Sequence, residues 1–167
     1  MADFQHIVHP IPALFDESSE ILILGSFPSV KSRAENFFYA HPQNRFWRLL
    51  ASLYSEMTPQ TVSEKIFFCR AHHIALWDTV YACDIIGSSD QSIKNVVPTD
   101  LSPILSDSNI HSIYCNGAAA GRFFHRLHEP VLHRKAVVLP STSPANAARN
   151  MERLIEAWRV ILKEEKE

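Results

Sequence analysis

Four short, nearly uninterrupted apolar runs punctuate the chain: residues 21–25 (ILILG), 74–77 (IALW), 112–115 (SIYC) and 136–139 (AVVL). A half-exposed strand alternates apolar with polar residues, so runs without alternation predict strands covered on both faces. Between the runs the spacing turns helical. Residues 44–54 gather Phe46, Trp47, Leu49, Leu50 and Leu53 on one side, and residues 60–72 and 117–128 are also compatible with helix. A last helix is expected over 146–163, where Ala147, Met151, Leu154, Trp158, Ile161 and Leu162 follow an i, i+4, i+7, i+11, i+14, i+15 spacing. Strand alternating with helix predicts the α/β class: a three-layer α/β/α sandwich with a central four-stranded, mostly parallel sheet and right-handed crossovers. Ligands of such sheets sit beyond the carboxyl ends of the strands, so the segments that follow each run are where chemistry is expected.

Composition narrows this picture. At 167 residues, with no repeat and no Gly/Ser linker, the chain reads as one domain over 1–167. Hydrophobic residues at 46% and charged residues at 20% exclude a disordered or fibrous chain. A net charge of −2 argues against a protein that coats nucleic acid, though not against one that touches it locally. The absence of a long apolar run predicts no membrane span, and the start, MADFQHIVHP, does not read as a secretory signal. Cys69, Cys83 and Cys115 form no C-x-x-C pair, which speaks against an iron–sulfur cluster or zinc ribbon, and their odd number suits a reducing compartment. The close histidine pairs, His72-His73 and His125-x-x-His128, lack a metalloprotease context. The expectation is a cytoplasmic monomer with no metal and no cofactor.

After the first run comes Gly25-Ser26-Phe27-Pro28-Ser29, which is neither G-x-G-x-x-G nor a P-loop. Gly25 either admits a ligand close to the backbone or makes a turn. Next comes Tyr39-Ala40-His41-Pro42-Gln43-Asn44-Arg45-Phe46-Trp47. Pro42 suits a helix start, which would put Asn44 in the first turn. Phe46 and Trp47 read as core, and Tyr39 as a ligand contact or an exposed loop aromatic. Asp78 and Asn116 follow the second and third runs, as pocket groups or as caps and turn residues. The fourth run leads into Pro140-Ser141-Thr142-Ser143-Pro144-Ala145-Asn146, a proline-stiffened hydroxyl loop suited to phosphate oxygens. Charge supports an anionic ligand. Lys31, Arg33, Arg45 and Arg48 against Glu35 give residues 25–48 a local +3, and residues 122–149 carry +4, including Arg149. Residues 1–24 hold four acids and no Lys or Arg. This is the footprint of a short stretch of phosphate backbone.

Together, G-S-F-P-S, the Tyr39 to Trp47 stretch, A-L-W-D and L-P-S-T-S-P-A-N resemble the uracil-DNA glycosylase superfamily, from about Ile21 to Trp158. The Tyr39 to Trp47 stretch is very similar to the mismatch-specific enzymes, and the combination looks closest to the hypoxanthine-DNA (deoxyinosine) glycosylase branch. One departure stands out. Many members carry Asp or Asn directly before the first-motif proline to handle the attacking water, and here that position is Phe27.

The resemblance implies a monofunctional glycosylase that flips a deaminated base out of damaged DNA containing deoxyinosine or deoxyuridine and hydrolyses its N-glycosidic bond. It implies that Asn44 is catalytic, positioning water through its side-chain carbonyl. Gly25, Ser26, Phe27, Tyr39, Asp78 and Asn116 would form the base pocket, with Tyr39 stacking on the base and Asp78 or Asn116 reading its edge. Pro28, Ser29, His41, Arg45, Ser141, Ser143, Pro144, Ala145, Asn146 and Arg149 would meet DNA, with residues 143–146 entering the minor groove. No motif contains a lysine, so no lyase step is expected. A non-catalytic lesion-binding or nucleotide-binding module on the same scaffold is the competing reading. A small-molecule hydrolase is disfavoured by the lack of a G-x-S-x-G elbow.

Overall fold

A computed structural model describes residues 3–165, with side chains through residue 162; the outer ends of the expected 1–167 domain, residues 1–2 and 166–167, lie outside it. The elements run β1 (Gln5–Val8), β2 (Ile21–Gly25), α1 (Val30–Glu35), α2 (Phe46–Leu53), α3 (Val62–Ala71), β3 (Ile74–Asp78), β4 (Val80–Ile85), β5 (Lys94–Pro98), α4 (Ser102–Ser106), β6 (Ser112–Asn116), α5 (Ala118–Phe123), α6 (Glu129–Leu132), β7 (Val137–Leu139) and α7 (Met151–Trp158). Strands β3-β2-β6-β7 form a four-stranded sheet in which every neighbouring pair is parallel. Strand β2 is buried along its whole length, and its side chains divide between two cores. Ile21 and Ile23 join α2, α3 and α7 through Phe46, Leu50, Phe68, Leu154 and Trp158. Leu22 and Leu24 pack on the other face with Leu101 just before α4, Ile104 within it and Phe124 in the segment after α5. Two covered faces explain why the sheet strands show no alternation.

The helices form for local reasons as well. In α2, Phe46, Trp47, Leu49 and Leu50 are buried while Arg48 is exposed. Helix α3 opens with a capping box, in which Thr61 Oγ1 accepts from the Glu64 N–H and the Glu64 carboxylate accepts from the Thr61 N–H.

The structure departs from the sequence expectations at three places. A second sheet, β1-β4-β5, is antiparallel and was not anticipated. It has a half-exposed face, so its strands carry polar residues such as His6, Asp84 and Lys94, and a register irregularity interrupts β4–β5. The expected 117–128 helix ends at Phe123 and widens into a π turn over Phe124–His128. Pro130, which has no N–H for the carbonyl one turn back, lies just beyond that turn. The last helix starts at Met151, not 146, with Asn150 as its cap. Residues 143–149 instead form successive turns, Asn146 N–H to Ser143 and Arg149 N–H to Asn146.

The chain passes from one sheet to the other at Thr79. Its N–H bonds the Gly25 carbonyl at 2.8 Å, and the Val80 N–H bonds that of Ser26 at 3.1 Å. This extends the β2–β3 ladder and carries the antiparallel arm to the carboxyl end of the parallel sheet, where Phe27 packs with Val80, Cys83, Ile85 and Phe123.

Candidate active site

At the carboxyl ends of the parallel strands lies a cavity of about 370 Å³. Its floor begins at Gly25, which the β2–β3 register sets opposite Asp78. A Cβ at Gly25 would come within 2.5 Å of Asp78 Oδ1, so only glycine lets the strand backbone meet this carboxylate. Asp78 is buried, and its Oδ2 lies 2.7 Å from Nε2 of the equally buried His9. Beside it, the Ser26 hydroxyl donates to Asp90 Oδ1 at 2.7 Å. Burial raises the Asp90 carboxyl above its ordinary value, the Ser26 hydrogen bond opposes this and nearby Asp78 adds to it. Phe27 and Pro28 complete this wall, Phe27 standing edge-on to His9 at 5.8 Å between ring centres. Ser29 reaches the cavity, yet its hydroxyl accepts from the Ser32 N–H as the N-cap of α1.

The opposite wall is built of neutral amides and hydroxyls. Tyr39, held at φ +53°, stacks on Phe46 at 3.9 Å, so only its other ring face is open to a ligand. Its hydroxyl is buried without a well-formed hydrogen bond, and burial together with Asp78 pushes the phenol far above its ordinary value. Asn44 does not lie inside a helix beginning at Pro42. It precedes α2, and its Oδ1 accepts from the Phe46 N–H at 2.9 Å and from the Thr142 hydroxyl at 2.8 Å. Both lone-pair directions of that carbonyl, the atom expected to orient water, are therefore engaged within the protein. Thr142 is also bonded reciprocally to Asn116: its N–H donates to Oδ1, and its Oγ1 accepts from Nδ2, each at 3.0 Å.

The rim comprises His41, Ser141, Ser143, Pro144 and Ala145. Three expected contacts lie outside the cavity lining. The Asn146 amide turns inward to the Ser141 carbonyl at 2.9 Å, and the Arg149 residue is exposed. Arg45, expected to meet DNA, has its guanidinium engaged within the protein. Nη2 donates to the carbonyls of Ser143 and Asn146 at 3.1 and 3.0 Å, and Nη1 to that of Arg149. The turns of 143–149 give the Ser143 and Asn146 carbonyls one backbone donor each, and the planar guanidinium supplies a second.

Sequence reasoning missed His9, Asp90 and Thr142. His9 sits in the acidic N-terminal stretch, far from any motif, and Asp90 in a polar turn between strands that were not anticipated. Thr142 lay in plain view between two serines, but as one hydroxyl among several. Among the described residues no group of His, Cys, Asp and Glu is arranged to hold a metal, and no helix is long and apolar enough to cross a membrane. The three cysteines are free and buried.

A sheet whose strand ends carry Gly25, Asp78, Asn116 and the hydroxyl loop, with Asn44 facing them, defines a class. The family model of the uracil DNA glycosylase superfamily matches residues 12–162, and the chain belongs to that family of DNA glycosylases. It is 34% identical over 157 residues to a hypoxanthine DNA glycosylase of Methanosarcina acetivorans, covering 91% of this chain and 96% of the relative. It is 33% identical over 153 residues to another from Methanosarcina barkeri, covering 88% and 92%. Among solved structures, the solution NMR structure of a uracil DNA glycosylase candidate from M. acetivorans superposes with a TM-score of 0.79 at 31% identity, over 95% of this chain and 98% of that one.

Proposed function

We propose that this protein is a monofunctional DNA glycosylase that excises hypoxanthine from deoxyinosine in damaged DNA, without a metal or a lyase step. The observation that carries the reading is Asn44, fixed by two hydrogen bonds at the wall of a cavity that faces the acidic wall of Asp78. The names of the Methanosarcina relatives support the choice of base.

A base stacked in duplex DNA is out of reach of such a cavity, so the nucleotide is flipped into it. The open face of Tyr39 stacks on the base, a contact contributing about 1–3 kcal/mol in comparable sites. Hypoxanthine offers an N1–H donor. Asn116 is engaged at both ends of its amide by Thr142, whereas Asp78 keeps Oδ1 clear of its His9 contact, so Asp78 is the group that accepts from N1–H. As the N-glycosidic bond breaks, positive charge builds on the sugar and negative charge on the departing base. Water then adds to the sugar and loses a proton to solvent, and the departed base anion takes up one proton from solvent, so the net step is hydrolysis. Ser143, Pro144 and Ala145 enter the minor groove and fill the space the nucleotide leaves, and Arg45 holds that loop in shape.

The test uses labelled duplexes containing deoxyinosine, deoxyuridine or no lesion, treated with protein in EDTA and then hot alkali. Breaks at deoxyinosine should appear with wild type and fall by at least ~10²-fold in Asn44→Ala, the range expected for loss of one preorganised polar group. Breaks at deoxyuridine alone would overturn the choice of base. Tight lesion binding without breaks, equal in both proteins, would favour the binding module that Phe27 at the first-motif position allows.

A further inference from the structure

The neutral wall contains a hydrogen-bond chain whose direction can be read without ambiguity. At one end the Thr142 N–H can only donate, so the Asn116 atom that receives it is Oδ1. That turns Asn116 Nδ2 toward Thr142 Oγ1, which must accept and is left with its single proton to give to Asn44. At the other end the Phe46 N–H independently requires Oδ1 of Asn44 in the same place. Two backbone donors thus determine the orientation of both side-chain amides. Thr142 is 1% exposed, and its carbonyl accepts from the Arg45 N–H at 3.1 Å, so every polar group of this residue is held. Among the described residues Nδ2 of Asn44 has no partner, and Asn44 lines the cavity.

We infer that Thr142 is the positioning residue of this site, locking Asn44 so that it meets the substrate as an N–H donor and not as a carbonyl acceptor. The inference rests on the glycosylase reading and adds what that reading left open. An N–H donor suits a reaction in which a neutral base departs with negative charge, because the donor stabilises charge that exists only as the bond breaks. It also accounts for Phe27: with no acceptor needed to activate water ahead of bond cleavage, the first-motif position tolerates an apolar side chain.

Five variants on the deoxyinosine duplex, Asn44→Ala among them, test this by steady-state and single-turnover kinetics. Asn44→Asp keeps the acceptor for Phe46 and Thr142 but replaces the donor edge with a second oxygen, and it should be as inactive as Asn44→Ala. Thr142→Val, close in shape and without the hydroxyl, should lower kcat by ~10²-fold, the scale of a small misplacement, with KM changed little. Thr142→Ser should recover to within about threefold of wild type, because the hydroxyl is the part that positions. Thr142→Val should cost nothing further in an Asn44→Ala background. Activity of Asn44→Asp at or above wild type would overturn the donor role. An undiminished Thr142→Val loss in the Asn44→Ala background would overturn the positioning role.

The orientation has a readout that needs no turnover. In ¹⁵N-labelled protein the Asn44 side-chain amide resonances should move in Thr142→Val and stay in place in Thr142→Ser. Unmoved resonances in Thr142→Val overturn the inference even if the variant loses activity. If wild type excises no base from any duplex, the glycosylase reading fails, and these resonances alone still decide whether Thr142 orients Asn44.

Discussion

The two walls of the cavity solve different problems with different chemistry. Asn44, Thr142 and Asn116 form a neutral wall in which each side-chain contact also has a backbone anchor, so orientation is its product. Asp78 and Asp90 form an acidic wall, each carboxylate held by one partner from a distant part of the chain, His9 and Ser26. The neutral wall is suited to holding a donor still during bond breaking. The acidic wall is suited to recognising an N–H on a base, and its negative charge disfavours entry of phosphate. Positive charge is correspondingly placed outside, on exposed Arg149 and Arg48 and on the half-buried guanidinium of Arg45, which no carboxylate pairs among the described residues. On the proposed reading, a polyanion is drawn to the rim while the flipped base enters the floor.

This contrast can be broken from its acidic side first. Asp78→Ala removes the proposed acceptor and leaves buried His9 without its partner, so excision of hypoxanthine should drop by about tenfold or more and stability by ~1–3 kcal/mol. Single-turnover rates and urea unfolding check the two effects separately. Unchanged rates would remove base reading from Asp78 and leave it a structural pair with His9.

The rim gives a smaller effect. Arg45→Ala should weaken binding to a lesion duplex by roughly tenfold, as expected when charge-assisted bonds to three carbonyls are lost. Arg45→Lys should fail to restore it, because an ammonium cannot match the planar fork. Full recovery with lysine in a fluorescence-anisotropy titration would mean that the charge meets phosphate directly, as the sequence first suggested.

Asp90 provides the smallest and most specific change. Its carboxyl is raised in the fold, chiefly by burial, so the folded state holds this proton more tightly than the unfolded chain. Stability from this group is therefore lost as pH rises through the raised folded value. Asp90→Asn keeps an acceptor for Ser26 and cannot ionise, so its Tm should lie slightly above wild type near neutral pH. The difference should vanish below about pH 4, where an ordinary carboxylate is protonated in both states. A calorimetric pH series in which the difference is constant or reversed would show that Asp90 is stabilised as an anion.

The parts of this molecule legible in one dimension share a feature: their physics is local. Strands covered on both faces print as unbroken apolar runs, and β2, β3, β6 and β7 lie within a residue of where those runs place them. The strand ends then bring their following segments together as a parallel sheet requires, and Asn44, Asp78, Asn116 and the 141–145 loop line one cavity. The antiparallel arm was hidden because a half-exposed, irregular strand resembles an ordinary polar loop. With it went Asp90, and the same blindness covered His9.

Arg45 and Asn44 show the deeper limit. Their positions in the motif were plain, but the atoms they present depend on carbonyls and hydroxyls about a hundred residues away in sequence. Periodicity, turn chemistry and motif spacing determined the parallel sheet, the end of it that matters and the residue types gathered there. Only the tertiary structure decided that the arginine grips a loop, that a threonine turns the asparagine's N–H edge to the cavity, and that two carboxylates face it. Which edge of a side chain meets a ligand depends on partners satisfying one another's hydrogen bonds in three dimensions, and linear spacing carries no record of that choice.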